Sequence, residues 1–345
     1  MTTDGPIAWL LSSPEPAVRY RTLTEVVGCP PVDSEVTATA AAIPDGAKVR
    51  ALLAGQRADG GFGVHPYQKW SGAFWRLISL ADLRCPPADD RIRAVADTVL
   101  IWLGGLPSRT VRGLVRRDAC QEGFTLGACC RLGLVDDRVR ELAAKLVEWQ
   151  WPDGGWNCDK RPDAHRSSVH ESLGPLWGLA EYRRATGDPA VDPAVDPAVE
   201  RAIASAAELF LRKRLFRSER TGEVIHPQWL RFRYPPYWHY DVLAGLRVLA
   251  GLDLLGDPRA EDALDRVEAA RRRDGTWAAS GRWWRTVIPP VTTYAEAVDW
   301  GSRGPNEMIT FHALRVLRAA GRLSEWDAAV GENAPREASA LRQGS

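Results

Sequence analysis

The stretch RRDACQEGF, Arg116 to Phe124, sets an Asp two residues before a Cys, after a basic pair and ahead of an apolar run. Asp118 is suited to N-cap a helix with Gln121 at N3, and Ser168 in RSSVHES to cap another with Glu171 at N3, which makes two capping boxes. In that register Cys120 and His170 share the N2 position, 50 residues apart. Two readings fit the first stretch. It is either an ordinary helix start with a small buried thiol behind it, or half of a metal site. The dipole at a helix N-terminus favours the thiolate of Cys120, and Arg116 and Arg117 add positive potential suited to an anionic substrate.

Other residues stand where they could join such chemistry. Cys158 follows the GGWNC turn and is placed to approach the same mouth as a further ligand or a reactive thiol. His239 and Asp241, in PPYWHYD, open another helix and are candidates for a general acid–base pair or for orienting a ligand. Glu307 and His312 are weaker versions of the same idea, His165 reads as solvated, and Cys129 and Cys130 read as core. For the wall of a cavity we name Trp70, Phe74, Trp75, Phe124, Trp177, Tyr237 and Trp238, whose ring faces suit an apolar or cationic ligand.

What must position these residues is a helical repeat. QRADGGFG (Gln56 to Gly63), QWPDGGWN (Gln150 to Asn157) and RRRDGTWA (Arg271 to Ala278) each follow an amphipathic run and read as a Gly-rich turn returning an aromatic ring to the helices. Apolar helices rich in small residues are expected from near residues 70, 119, 169, 239 and 306. Between them lie charged helices such as DDRVRELAAKLVEWQ, with apolar residues at i, i+3, i+4 spacing. This alternation suits two concentric layers, apolar helices inside and amphipathic ones outside. The expected fold is all-α, an α/α toroid of about five to six helical hairpins over residues 1–330, with N-terminal helices at 1–30 packing on it and a mobile tail at 331–345. The DPAVDPAVDPAVE repeat from Asp188 reads as an exposed loop, and no β-strand pattern is convincing.

Composition narrows the classes. The 45 basic and 44 acidic residues nearly cancel, which argues against a nucleic-acid partner. Six scattered cysteines suit reduced thiols, and the N-terminal apolar run of about five residues suits neither a signal peptide nor a transmembrane segment, so a cytoplasmic protein is expected.

The alternation of helices with Gln-x-x-Asp-Gly-Gly-aromatic turns resembles the terpenoid cyclase and protein prenyltransferase superfamily over roughly Ser34 to Gly321. It is most similar to short bacterial squalene-cyclase-like proteins with prenyltransferase and squalene oxidase repeats. The resemblance implies the toroid and key residues at inner-helix starts. Prenyltransferase β subunits hold zinc with an Asp-x-Cys and a later His, and Asp118, Cys120 and His170 fall at those places, leaving a fourth position open. The implied function is a zinc-dependent enzyme in an aromatic-lined cavity, transferring an alkyl or prenyl group to a thiol or a natural-product small molecule. An apolar or isoprenoid-like compound is then the expected partner, with the oligomeric state undetermined. The alternatives are a class II terpene cyclase with Asp118 as general acid, which adjacent Arg116 and Arg117 disfavour by stabilising its carboxylate, and a non-enzymatic protein that binds an apolar ligand.

Overall fold

A computed structural model describes residues 5–87, 89–187, 197–283 and 295–323. The Asp-Pro-Ala-Val repeat up to residue 196 and the tail lie outside the described residues. The fold is all-α. Short helices α1 (Pro6–Leu11) and α2 (Pro16–Arg21), the latter running into a π-helical turn, precede α3 (Ser34–Ala42) and α4 (Ala47–Leu53). There follow α5 (Ala73–Asp82), α6 (Asp90–Gly104), α7 (Ala119–Arg131), α8 (Asp137–Trp149) and α9 (Val169–Thr186). The chain continues through α10 (Pro197–Arg212), α11 (Val242–Ala250), α12 (Glu261–Ala269) and α13 (Glu307–Ala319).

Odd- and even-numbered helices from α5 onward differ in how they bury. Every residue of α7 from Ala119 to Cys130 is buried, whereas α8 buries only Val139, Leu142, Ala143 and Leu146, one stripe at helical spacing. The apolar helices pack in series, α5 on α7, α7 on α9, α9 on α11 and α11 on α13, and α13 packs against α1 and α2. Arg21 of α2 reaches Asp82 at the end of α5, donating from Nη1 to Oδ1 at 2.9 Å.

The repeated turns draw on two recurring bonds, and the second turn makes both. Trp156 donates its indole N–H to the carbonyl of Leu146 at 2.9 Å, and Trp277 does the same to Val267 at 2.7 Å, in each case ten residues upstream on the preceding amphipathic helix. Gln150 donates to Ala202 of α10 at 2.8 Å, and Gln56 to Arg91 of α6 at 2.8 Å, so in the first two turns the glutamine ties the turn to the next amphipathic helix. Gly60 and Gly154 take φ of 78° and 100°, and a Cβ on either would strike a carbonyl of that same helix, Ala94 or Ser205. Glycine is required there on both counts.

One expectation is corrected. A two-stranded hairpin, β1 (Arg109–Val111) paired antiparallel with β2 (Leu114–Arg116), precedes α7. Its two-residue connection, Arg112-Gly113, has φ of 50° and 77°, the positive values that match the twist of a tight hairpin. Strands this short carry too little alternation to be seen in sequence. Trp151 of the second repeat turn holds the hairpin by an indole N–H to Val115 O at 2.9 Å.

Candidate metal centre

Glycines set how closely the two helices that carry the candidate site approach. A Cβ on Gly174 would lie 2.8 Å from the Cys120 carbonyl oxygen, one on Gly178 would collide with the Gly123 carbonyl, and one on Gly123 with the backbone at Pro175. The α7–α9 contact is therefore backbone against backbone. At that separation a side chain of one helix can serve the end of the other.

Glu171 does so. Its Oε1 accepts the Cys120 N–H at 2.8 Å, capping α7 from the neighbouring helix. Asp118, expected to cap α7 with its side chain, makes no such bond; only its backbone carbonyl accepts, from Gln121 N at 2.8 Å. Its carboxylate turns instead to Cys158 and Glu171, and the ligand atoms of Asp118, Cys158 and Glu171 all lie within 4.8 Å of one another. The capping box at Ser168 forms by half. Ser168 Oγ accepts Glu171 N at 3.3 Å, but the Glu171 carboxyl crosses to α7 rather than folding back.

The burial of the three residues is graded. Asp118 is exposed, Cys158 half-buried and Glu171 buried, so the cluster opens to solvent on the Asp118 side. No ion pair to Asp118 or Glu171 occurs among the described residues. Burial pushes the Glu171 carboxyl up to about 7, with Asp118 adding to the rise against the Cys120 N–H bond. Burial likewise raises the thiols of Cys158 and Cys120, each reinforced by the Glu171 and Asp118 carboxylates. Tyr67 pairs with Gln121 at the edge of this group, its hydroxyl also raised, by burial first and then by Cys120. Acidic groups short of positive charge fit a divalent cation, which would take the place of the protons they otherwise keep. Two carboxylates and a thiol are a competent zinc donor set with a position to spare.

His170, expected beside Asp118 and Cys120, faces elsewhere. Its Nδ1 accepts the Tyr240 N–H at 3.0 Å, and its Nε2 lies 3.3 Å from the Trp229 indole nitrogen. Burial lowers its pKa. The reason is helical phase: successive residues are turned by about 100°, so when Glu171 faces α7, His170 faces Trp229. Cys120 keeps its N2 place and borders the cluster through Glu171.

The basic pair does not feed the site. Arg117 is bonded to Glu122, with Nε donating to Oε1 at 2.6 Å, and also donates to the Pro107 carbonyl. Arg116 donates to Ala164 O at 2.8 Å and stacks over Trp151 at 4.3 Å. His239 is sandwiched between Trp238 and Trp283, with ring centroids at 4.0 Å and 4.4 Å, and burial lowers its pKa to about 3. Asp241 N-caps α11, accepting Ala244 N at 2.8 Å, and burial raises its pKa to about 6. Neither joins the Asp118–Cys158–Glu171 cluster.

A cavity of about 80 Å³ lies among the apolar helices. Of the seven expected wall aromatics, Phe124, Trp177 and Tyr237 line it. Trp70, Phe74 and Trp75 form a packed cluster instead, with Trp70 stacked on Tyr237 at 4.1 Å and at an angle to Trp75 at 4.7 Å. Trp238 belongs to the His239 stack.

The end of the cavity toward the helix C-termini carries residues of which the sequence had singled out only His312. Asp82 of α5 accepts from Arg21, from Arg131 of α7 at 3.4 Å, from Arg247 of α11 at 3.0 Å and from the Tyr234 hydroxyl at 2.7 Å, with His312 Nε2 of α13 at 3.3 Å. Burial opposes its charge, yet Arg247, Arg21 and His312 hold its carboxyl well below the usual range. The available signal was a charged residue set inside an otherwise apolar helix, as in LISLAD and LAGLRVLA.

No family model and no curated protein matches the chain. No helix among the described residues is long and apolar enough to cross a membrane.

Proposed function

We propose that the protein is a cytoplasmic zinc-dependent enzyme in which Asp118, Cys158 and Glu171 hold the metal at the mouth of an α/α toroid, with α5, α7, α9, α11 and α13 as its inner layer. The observation that carries this reading is the convergence of a thiol and two carboxylates within 4.8 Å, in a place without a counter-cation among the described residues. The series packing of the apolar helices supports the toroid, and six free cysteines support a reducing compartment. When bound, zinc supplies a Lewis acid that activates a thiol or polarises an electrophile, the chemistry of alkyl transfer to sulfur. The chain's own residues do the rest. Asp118 meets solvent at the entrance, Glu171 fixes the α7 terminus through the Cys120 N–H, and the glycine seam holds both helices at the distance this requires.

A second reading rests on Glu171 itself. A buried carboxyl pushed up to about 7 beside another carboxyl is poised to donate a proton, as a cyclase acid must. This moves that role from Asp118 to Glu171.

Zinc content of protein purified without an affinity tag separates the two. About one equivalent in the wild type, lost in the Cys158→Ser, Glu171→Gln double variant and kept in His170→Ala, is the expected result. A wild type that takes up no zinc on titration removes the metal reading and leaves the proton donor. Loss of zinc in His170→Ala, with the double variant still loaded, returns the site to Asp118, Cys120 and His170.

A further inference from the structure

The central cavity has two unlike ends. Ile78, Phe124, Leu173, Trp177 and Val248 make an apolar wall, while Asp82, Arg131, Arg247 and Arg315 line the same space. The charges at that end do not balance. Glu25 pairs with Arg21 at 2.9 Å, Arg84 at 3.3 Å and Arg315 at 3.0 Å. Asp82 pairs with Arg21, Arg131 and Arg247, and Glu181 with Arg131 at 2.8 Å. Five guanidiniums thus share three carboxylates, leaving two positive charges over; Arg184, half-exposed beyond Glu181, only adds to the excess. His312, held neutral by burial and Arg247, does not alter that sum.

Donors are left over as well. Arg247 commits only Nη2, to Asp82, and Arg315 only Nε, to Glu25, among the described contacts. Arg131 keeps a buried Nε with no hydrogen-bond partner, and His312 a buried Nδ1. Burial, with repulsion from Arg21, Arg131 and Arg247, brings Arg315 down to about 10 although Glu25 opposes this. Unneutralised guanidiniums facing a cavity are costly unless an anion completes them.

We infer that this cavity is a binding site for a small organic oxyanion, a carboxylate or phosphate on a compact apolar body, with the anion held by Arg247 and Arg315 and the body against Phe124 and Trp177. Guanidiniums offer the paired donors that planar or tetrahedral oxyanions accept. The volume of about 80 Å³ restricts the ligand to a compact body and excludes a long isoprenoid chain. None of the metal-centre donors lines the cavity, so binding here is independent of zinc.

The test is titration calorimetry on the full chain freed of metal by chelation, at about pH 7.5 and low ionic strength. Benzoate, phenyl phosphate and inorganic phosphate are the anionic probes, and benzyl alcohol is the neutral one. Benzoate or phenyl phosphate should bind at least ~10-fold tighter than benzyl alcohol and quench tryptophan emission, and Arg315→Gln and Arg247→Gln should each weaken that binding by ~10-fold or more. The two probes distinguish a carboxylate from a phosphate ligand, and inorganic phosphate shows how much the body contributes. Melting curves establish that the variants fold; Arg315→Gln lessens an excess of like charge and is expected to melt no lower than the wild type. The inference is overturned if alcohol and anions bind alike, if neither anion binds at millimolar concentration, or if folded forms of both variants bind as the wild type does.

Discussion

Replacing Glu171 by Gln should change how stability depends on pH, by an amount that follows from its surroundings. The ordinary carboxyl value is 4.5, and burial carries the folded value to about 7. At ~1.36 kcal/mol per pH unit the difference is about 3 kcal/mol. The sign follows from proton counting. Between those two values the unfolded chain has released its proton and the folded chain still holds it, so the folded state loses stability as pH rises. The contribution is fully present below about 4.5 and gone above about 7. The substituted amide would keep an oxygen for the Cys120 N–H and has no proton to release. Urea unfolding of chelator-treated protein, followed by circular dichroism from about pH 4.5 to 8, should therefore show the two proteins diverging, with Glu171→Gln the more stable by up to about 3 kcal/mol at the alkaline end. Asp241 tilts both curves in the same direction, since burial raises it to about 6 as well, and it cancels in the comparison. Parallel curves would refute the idea that Glu171 is a buried acid without a cation.

Three further outcomes follow. Gly178→Ala places a methyl against the Gly123 carbonyl and should cost roughly 1–3 kcal/mol by overpacking; under the proposed zinc reading it should also lower zinc affinity, because the helices carrying Asp118 and Glu171 are forced apart, and equilibrium unfolding and a metal competition titration read both. Asp82→Asn leaves Arg21, Arg131 and Arg247 without their shared carboxylate and should cost about 3–5 kcal/mol near neutral pH. Because the Asp82 carboxyl is held well below its usual range, its stabilisation is present above that range and is lost only in strong acid, as pH falls through the folded value. Trp156→Phe keeps a ring but deletes the indole N–H that serves Leu146 O. A stability lowered by about 1–3 kcal/mol in urea unfolding is expected, and an unchanged midpoint would show the bond to be dispensable.

The helices were readable because their signals are local. DDRVRELAAKLVEW carries its buried stripe in its own spacing, and the Asp-Gly-Gly turns announce where each helix ends. The centre was readable only in part. Asp118, Cys120 and Cys158 stood out by type, but whether His170 or Glu171 faces α7 depends on the rotation of α9, which the Gly123–Gly178 contact fixes and no single segment states. Asp82, Arg131, Arg247, His312 and Arg315 each look like an isolated exception in an apolar run. Their meaning is collective and appears only once α5, α7, α11 and α13 bring them to one point.

The tryptophan-and-glutamine turns bear on how the sequence can change as well as on how the chain holds together. The second and third turns grip their own hairpins at Trp156 and Trp277, and the first and second reach forward through Gln56 and Gln150 to the next amphipathic helix. Unfastening one hairpin strips its successor of support, so melting should be a single concerted event rather than a progressive unzipping from one end. The same linkage rations where length can vary: a residue inserted inside the second turn breaks two grips, whereas one inserted between α9 and α10 breaks neither. Two copies of the Asp-Pro-Ala-Val unit and the Asp of the third fall in that interval of the sequence, and Pro197 of the third copy opens α10.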